Sequence, residues 1–500
     1  MLAAGRGRLP FAKGLQGALR SSRWGVAARG LAVDAARLQE LEQRISLGLL
    51  SRLASASVPV PAAGTTALPT VAVIGHSSAA FAATLRAVRK AGVPVAPVDI
   101  SGCDAEELKS RLADAEVQLA VTAGLQQTQE AEVHSAVQRL GATPTSAVSL
   151  HNEGCAFDSS EAADATDKDG ASLLLYSCPP GASVARVSAL PTSAFAARVS
   201  RASKRWEFSN KDTVLQLGLR SDNPAAIVDA IEAPLSLGAG VAWPDQPAGR
   251  TTLRAETVWD AWAAIRDTEQ ATVVFIAPEL CWRLLDVYSQ LSSGLRATLS
   301  ARWEAKPWRL AVAVATPGTE VSQELSEKWA SIFRCPLTWH FSSAEAGSLF
   351  ATTPTDQASH GSGSPAVEGL QWQVQNGELY VRGDGLSDGF YNGATNGKPQ
   401  TLLRDDGFCP TGHRVAVETD DVLVSMPSLH STAVDKEAFK HMYRGPRAQR
   451  FRMKPNWSIQ RVLMRKYWVW RHKGKYNIVT KKHCNTYYEI YYSKNMPRCP

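Results

Sequence analysis

The sequence predicts an α/β protein built on parallel sheets, followed by a β-rich segment and a very basic C-terminal extension. Three observations carry that expectation. Short apolar runs alternate with longer stretches whose apolar residues fall three and four apart, the pattern of strand–helix–strand units. The 500 residues are 44% apolar and 20% charged, which excludes a wholly disordered chain and supplies a large core, on a length prior of about three domains. Charge is unevenly divided: residues 431–500 hold 17 Lys and Arg against 3 Asp and Glu, whereas the other 430 hold 37 against 44. No run approaches eighteen consecutive apolar residues, so a membrane-spanning helix is not expected.

In chain order, residues 1–31 are read as a mitochondrial transit peptide. They carry Arg6, Arg8, Lys13, Arg20, Arg23 and Arg29 among Ala, Ser and Gly, with no acid before Asp34, and Arg29-Gly30-Leu31-Ala32 has the form of a matrix-processing site. A plain basic arm has the same composition. Residues 32–69 are a helix at 35–53, from the spacing of Leu38, Leu41, Ile45 and Leu49, and a Pro, Ala, Ser and Thr-rich linker at 54–69. The α/β part spans 70–360. Val71-Ala72-Val73-Ile74-Gly75 is a buried strand, Phe81, Leu85 and Val88 mark a helix face, and Val93 to Val98 is the next strand. A helix with Leu108 and Leu112 then leads to a strand at Leu119-Ala120-Val121. Residues 123–170 are polar and acidic and are expected to be mainly loop. A second alternation runs from 173 to 350, with strands at 273–277 and 310–315. A β-rich part follows at 361–427, with short strands and Gly-rich turns, and the basic tail is 428–500. The eight cysteines are scattered without a C-x-x-C pair, which supports neither a metal site nor a disulfide scaffold and fits a reducing compartment.

The order of these features resembles the adenylate-forming superfamily of AMP-binding enzymes, and most of all mitochondrial acyl-CoA synthetases of the malonyl-CoA type. The resemblance covers roughly 70–420. Its more specific parts are Gly377-Glu378-Leu379-Tyr380-Val381-Arg382-Gly383 running to Gly389-Phe390-Tyr391-Asn392, similar to the family's "GEL.VRG….GYWN", and Asp406-Gly407-Phe408-Cys409-Pro410-Thr411-Gly412, similar to "DGWF.TGD". Val71 to Asp99 and Thr272 to Pro278 are similar to more generic family strands. The resemblance implies the family's large N-terminal domain, parallel α/β sheets with a small β-rich subdomain. It also implies a chemistry in which ATP and a carboxylate give an acyl-adenylate and coenzyme A then takes the acyl group.

That chemistry makes demands at particular positions, and the sequence departs from each. The family's phosphate loop follows a strand, here Leu173-Leu174-Leu175-Tyr176, but continues as Ser177-Cys178-Pro179-Pro180-Gly181-Ala182-Ser183-Val184-Ala185. Proline has no amide hydrogen for a phosphate, and Val184 stands at the lysine position. Phe341-Ser342-Ser343-Ala344-Glu345 matches the Mg²⁺-ligating segment and keeps Glu345 but puts Ala344 for its threonine. A lone carboxylate of this kind is equally a solvated or salt-bridged glutamate. His413 replaces the aspartate that would accept both ribose hydroxyls, which an imidazole cannot do; a new catalytic base or a satisfied histidine are the alternatives. No hinge motif follows Asp420, so the family's moving C-terminal lid is expected to be missing. Tyr176, Gly181, Glu345 and His413 therefore read as a vestigial nucleotide site, with no catalytic residue, metal or cofactor expected, and the chain as a pseudo-enzyme.

The tail supplies the other half of the functional expectation. Arg444, Arg447, Arg450, Arg452, Lys454, Trp457, Arg461, Arg465, Lys466, Trp468, Trp470, Arg471, Lys473, Lys475, Lys481 and Lys482 interleave cations with aromatic rings, and residues 431–500 hold 12 of the chain's 38 aromatics. Cations neutralise phosphates while rings stack on unpaired bases, so RNA is the favoured partner. Packing within a protein assembly and contact with anionic lipid are the alternatives. Together these make a structural subunit of a large mitochondrial matrix assembly, with the mitochondrial ribosome and its rRNA first. A divergent mitochondrial acyl-CoA synthetase and an accessory subunit of a respiratory-chain or ATP-synthase complex are the rival expectations.

Overall fold

The computed structural model describes residues 32–33, 35–54, 69–100, 105–125, 127–154, 173–177, 186–243, 271–315, 323–351, 364–365, 369–391, 400–401, 403–419 and 422–425. The expected transit peptide, nearly all of the 54–69 linker, Gly181 and the whole tail, including every RNA-contacting candidate, lie outside these residues. Every described residue belongs to the first of the two units into which the chain divides, residues 1–435.

Strand burial on both faces decides the layers. In Thr70–Gly75, Val71 and Val73 face one hydrophobic cluster and Ala72 and Ile74 another, with all four closed to solvent. Such a strand needs cover on both sides, as parallel sheets do. It pairs in parallel with Val95–Asp99 and with Val117–Ala123. These are the centre of an eight-stranded sheet in the order Gln400–Thr401, Gly389–Tyr391, Arg186–Leu190, Leu173–Ser177, Val95–Asp99, Thr70–Gly75, Val117–Ala123, Thr143–Ser146. Its first three strands run antiparallel to their neighbours. A second, seven-stranded sheet has the order Ala32–Val33, Gly240–Ala242, Thr213–Leu217, Val273–Ile276, Leu310–Ala315, Leu337–Ser343, Gly347–Ala351, and is parallel except at its two edges.

The same alternation in the second sheet completes a five-layer arrangement. Val214, Val273 and Phe275 share the cluster of Val71 and Val73, together with Leu49, Phe81, Leu150, Phe195 and Ile231. The helices Ala35–Ala54, Ala79–Lys90, Ala147–Gly154 and Thr192–Trp206, with the helical stretch Pro224–Ile227, Val228–Glu232 and Ala233–Ser236, thus form an inner layer between the sheets. Ala105–Asp114 and Gln127–Arg139 cover the outside of the first sheet through Leu108, Leu112, Val133 and Val137. Pro278–Gln290, Ser293–Ala305 and Gln323–Phe333 cover the second through Leu284, Trp303, Trp329 and Phe333. A third sheet is antiparallel, in the order Ser364–Pro365, Val422–Ser425, Cys409–Thr419, Glu378–Arg382, Gln371–Gln375. Leu379, Val381 and Cys409 bring it against Phe341 and Phe350 of the second.

The helix expected at 35–53 runs Ala35–Ala54, and the strands expected near 71–75, 93–98, 119–121, 273–277 and 310–315 are all present. The expectation of a mainly looped 123–170 is corrected. That stretch contains the helix Gln127–Arg139, the edge strand Thr143–Ser146 and the helix Ala147–Gly154. The first of these helices buries only Val133, Ala136 and Val137, and the strand is Thr-Pro-Thr-Ser at an edge where proline is tolerated. Neither makes a strong apolar pattern.

Candidate functional site

Ligand sites on open parallel sheets form beyond the carboxyl ends of the strands. In the second sheet the turn after Leu337–Ser343 holds Glu345, and Ser343 Oγ accepts a bond from Ala346 N at 3.0 Å to close it. Glu345 is 1% exposed. Its carbonyl accepts both Arg198 Nη2 at 2.7 Å and Ser387 N at 2.8 Å. Arg198, 3% exposed, comes from the helix Thr192–Trp206 and also donates its Nε to Gly385 O at 2.6 Å. One buried guanidinium therefore binds the second-sheet turn to the segment that leads out of the third sheet.

The electrostatics follow from that burial. Loss of water and the neighbouring Arg201 lower Arg198 to about 9, against the opposing charges of Glu345 and Asp229. Burial, and then Glu345, push the Cys409 thiol up to about 12, so this cysteine is an apolar filler rather than a nucleophile. Both carboxylate oxygens of Glu345 are shut off from solvent. A magnesium ligand must reach a hydrated ion and the substrate phosphates. The buried Glu345 does not fit that role, and among the described residues no group of three His, Cys, Asp or Glu could hold a metal ion.

The other expected site residues are placed as follows. Tyr176, at the end of Leu173–Ser177, donates its hydroxyl to Arg111 O at 2.7 Å, and the Arg111 guanidinium lies 5.4 Å from its ring. Arg111 is in turn bonded to Asp222 at 2.8 Å and to Glu107 at 2.6 Å, so Tyr176 is tied into the outer helix layer. His413 lies in Cys409–Thr419, next to Arg414, which is in register with Glu378. Sequence reasoning missed two polar clusters altogether. At the strand ends, Asp99 accepts Ser221 N at 2.6 Å, and Ser221 Oγ lies 2.8 Å from Gly75 O and 3.0 Å from Asp99 Oδ2, joining the two large sheets. Deeper, Trp206 Nε1 donates to Asp229 at 2.9 Å, and His340, fully buried, lies 3.7 Å from the same carboxylate. The sequence signal for the second cluster is an arginine, Arg198, standing inside the apolar stripe Phe195, Ala202, Trp206.

The family model for AMP-binding enzymes matches residues 52–391. The chain belongs to that family. Solved structures agree on the fold. Apo MatB from Rhodopseudomonas palustris superposes with a TM-score of 0.59 at 18% identity, covering 79% of this chain and 73% of that one. O-succinylbenzoate coenzyme A synthetase (MenE) from Bacillus subtilis gives 0.58 at 14%, covering 79% and 74%. A malonyl-CoA ligase with methylmalonyl-CoA and AMP bound gives 0.53 at 17%, covering 77% and 74%. No curated protein matches the sequence.

Proposed function

We propose that this AMP-binding family member is catalytically inactive and serves as a structural subunit of a large mitochondrial assembly, the mitochondrial ribosome, with residues 428–500 as its RNA-contacting anchor. The observation that carries the inactivity is Glu345, 1% exposed where the family places its metal ligand, in a turn fastened by Arg198. The prolines at 179 and 180, Ala344 and His413 add to it, each removing a donor or acceptor the nucleotide would need. The anchor and the location rest on the sequence: the acid-free N-terminal 33 residues, and a tail of net charge far above that of the rest.

Two experiments test the two halves. Purified protein should neither bind Mg·ATP at millimolar concentration nor exchange pyrophosphate into ATP with short-chain acids. Exchange that Glu345→Ala abolishes would establish the rival reading of a divergent acid–thiol ligase. In mitochondrial lysate the protein should sediment with ribosome-sized particles and shift to small size after RNase. Persistence in a detergent-solubilised membrane complex would instead make it an accessory subunit there.

A further inference from the structure

One edge of the second sheet is closed by the first described residues of the chain. Ala32–Val33 pairs antiparallel with Gly240–Ala242, Ala32 opposite Ala242 and Val33 opposite Val241, and Gly240–Ala242 pairs in parallel with Thr213–Leu217. Val241 and Ala242 are closed to solvent. Without Ala32–Val33, the outer side of Gly240–Ala242 would present unpaired amides and carbonyls beside buried apolar residues, an edge that folded proteins keep covered.

The residues after Val33 hold that strand in place. One residue separates it from the helix Ala35–Ala54, whose Leu38, Ile45 and Leu49 are buried in the inner layer. The depth of the helix is fixed as well. A Cβ on Gly48 would collide with the Leu150 carbonyl of Ala147–Gly154, and Glu42 accepts Arg86 Nε at 2.8 Å. The composition changes at the same point of the chain. Residues 1–31 hold six cations and no acid, the last cation being Arg29, and the first acid is Asp34.

A processing endopeptidase takes its substrate as an extended segment, through the same backbone N–H and C=O groups that a neighbouring strand uses. The backbone of Ala32–Val33 cannot serve both at once. We infer that this pairing sets the N-terminus of the mature protein: hydrolysis of the Leu31–Ala32 bond precedes the pairing, and the pairing then seals the new terminus against further trimming. Water adds across the peptide bond, leaving a carboxylate on Leu31 and an ammonium on Ala32, and the peptidase is recovered unchanged. This rests on the reading of residues 1–31 as a transit peptide. It adds an order of events, cutting before the sheet edge forms, and a reason for residues 32 and 33 to stay on the chain.

Two measurements on purified protein test the pairing apart from the location. The full-length chain, folded, is given to purified matrix processing peptidase beside the same chain diluted straight from urea, and the products are weighed by mass spectrometry. The folded chain should be cut between residues 31 and 32 at least about tenfold more slowly, since cleavage must wait for the edge to open. A chain beginning at Ala32 should melt at the temperature of the full-length chain, and one beginning at Asp34 several degrees lower or not fold at all. The first measurement needs no variant, so it stands whichever of these the shorter chain does. Equal cutting rates, or equal melting temperatures for the chains beginning at Ala32 and Asp34, would overturn the inference alone. An intact Met1 on protein isolated from mitochondria would overturn it together with the transit-peptide reading.

Discussion

Glu232 holds the inner helix layer together by charge, and removing that charge has a calculable effect. Its carboxylate binds Arg86 Nη1 at 2.5 Å and Arg89 Nη1 at 3.5 Å, while Glu42 of the first helix binds Arg86 Nε at 2.8 Å. Glu232 and Glu42 are 9% and 8% exposed, and the two arginines 27% and 20%. Breaking one partner out of a buried pair costs about 3–5 kcal/mol, because a charge is left without compensation. Partial exposure of the arginines and the bond that Arg86 keeps to Glu42 reduce this, so Glu232→Gln should cost about 2–3 kcal/mol. Arg89 would retain its position 3.5 Å above the Phe195 ring, a contact of about 0.5–2 kcal/mol that does not replace a carboxylate. Glu42→Gln leaves Arg86 its Glu232 bond and should cost about 1 kcal/mol. The double variant strips Arg86 of both acids and should lose more than the sum, with a coupling of about 0.5–3 kcal/mol. Urea unfolding with unchanged m-values measures all three. An effect of Glu232→Gln below about 0.5 kcal/mol, or one that 1 M salt removes, would mean that the network is a screened surface feature and the argument is wrong.

Three further outcomes are expected. Trp329, fully buried with ring centroids 4.1 Å from Phe333 and 5.8 Å from Trp308, should cost about 3–5 kcal/mol on change to Ala, read from the urea midpoint; Trp329→Phe should cost under about 1.5 kcal/mol, since its indole N–H has no partner among the described residues. Burial holds His340 and His76 below the ordinary imidazole value, against the opposing charges of Asp229 and Asp99; the unfolded chain therefore binds more protons, and stability should fall as pH drops below about 6.5, by up to about 1.4 kcal/mol per pH unit for each. A pH-independent midpoint between 7.5 and 5.5 would count against buried neutral rings. In the tail, replacing Arg461, Arg465 and Lys466 should weaken binding to every RNA and lower the log–log salt slope by about 0.7–0.9 per lost phosphate contact, whereas Trp468→Ala should cost about 1–3 kcal/mol with little change of slope; an unchanged slope with lowered thermal stability would place these side chains in protein packing instead.

The fold was legible wherever burial on two faces forces an uninterrupted apolar run. Val71-Ala72-Val73-Ile74 and Leu310 to Ala315 are such runs, and both are central strands. The order of these units, with Gly377 to Gly383 behind them, was enough to find the family by resemblance. Legibility failed at 127–154: Gln127–Arg139 and the edge strand Thr143–Ser146 lie at the sheet's margin with few apolar residues, and Ala147–Gly154, although its Leu150 is fully buried in the inner layer, is too short for a helical repeat to show. It also stopped short of the connection of Gly389–Tyr391 to Arg186–Leu190, a pairing of strands some two hundred residues apart that local pattern does not encode.

At the site, the limits of sequence reading have a different cause. Departures from the family were visible one residue at a time, because a proline lacks an N–H and an alanine lacks a hydroxyl whatever surrounds them. What the structure packs around those positions was not visible. Arg198, Arg201 and Arg205 look, in a sequence, like the solvated side of an amphipathic helix, and only Arg198's place three residues after Phe195 and four before Ala202 hints otherwise. In the structure that guanidinium is buried and fastens the Glu345 turn to Gly385. A cation buried beside the retained carboxylate changes what Glu345 can do more than any missing threonine, since a group shut off from solvent and fixed through its own backbone is not available to a hydrated metal. Testing the site by Glu345 alone would therefore misattribute the effect. Arg198→Met should release the Glu345 turn and lower stability, without bringing on pyrophosphate exchange. If exchange appeared only in that variant, the buried arginine rather than the altered phosphate loop would account for the proposed inactivity.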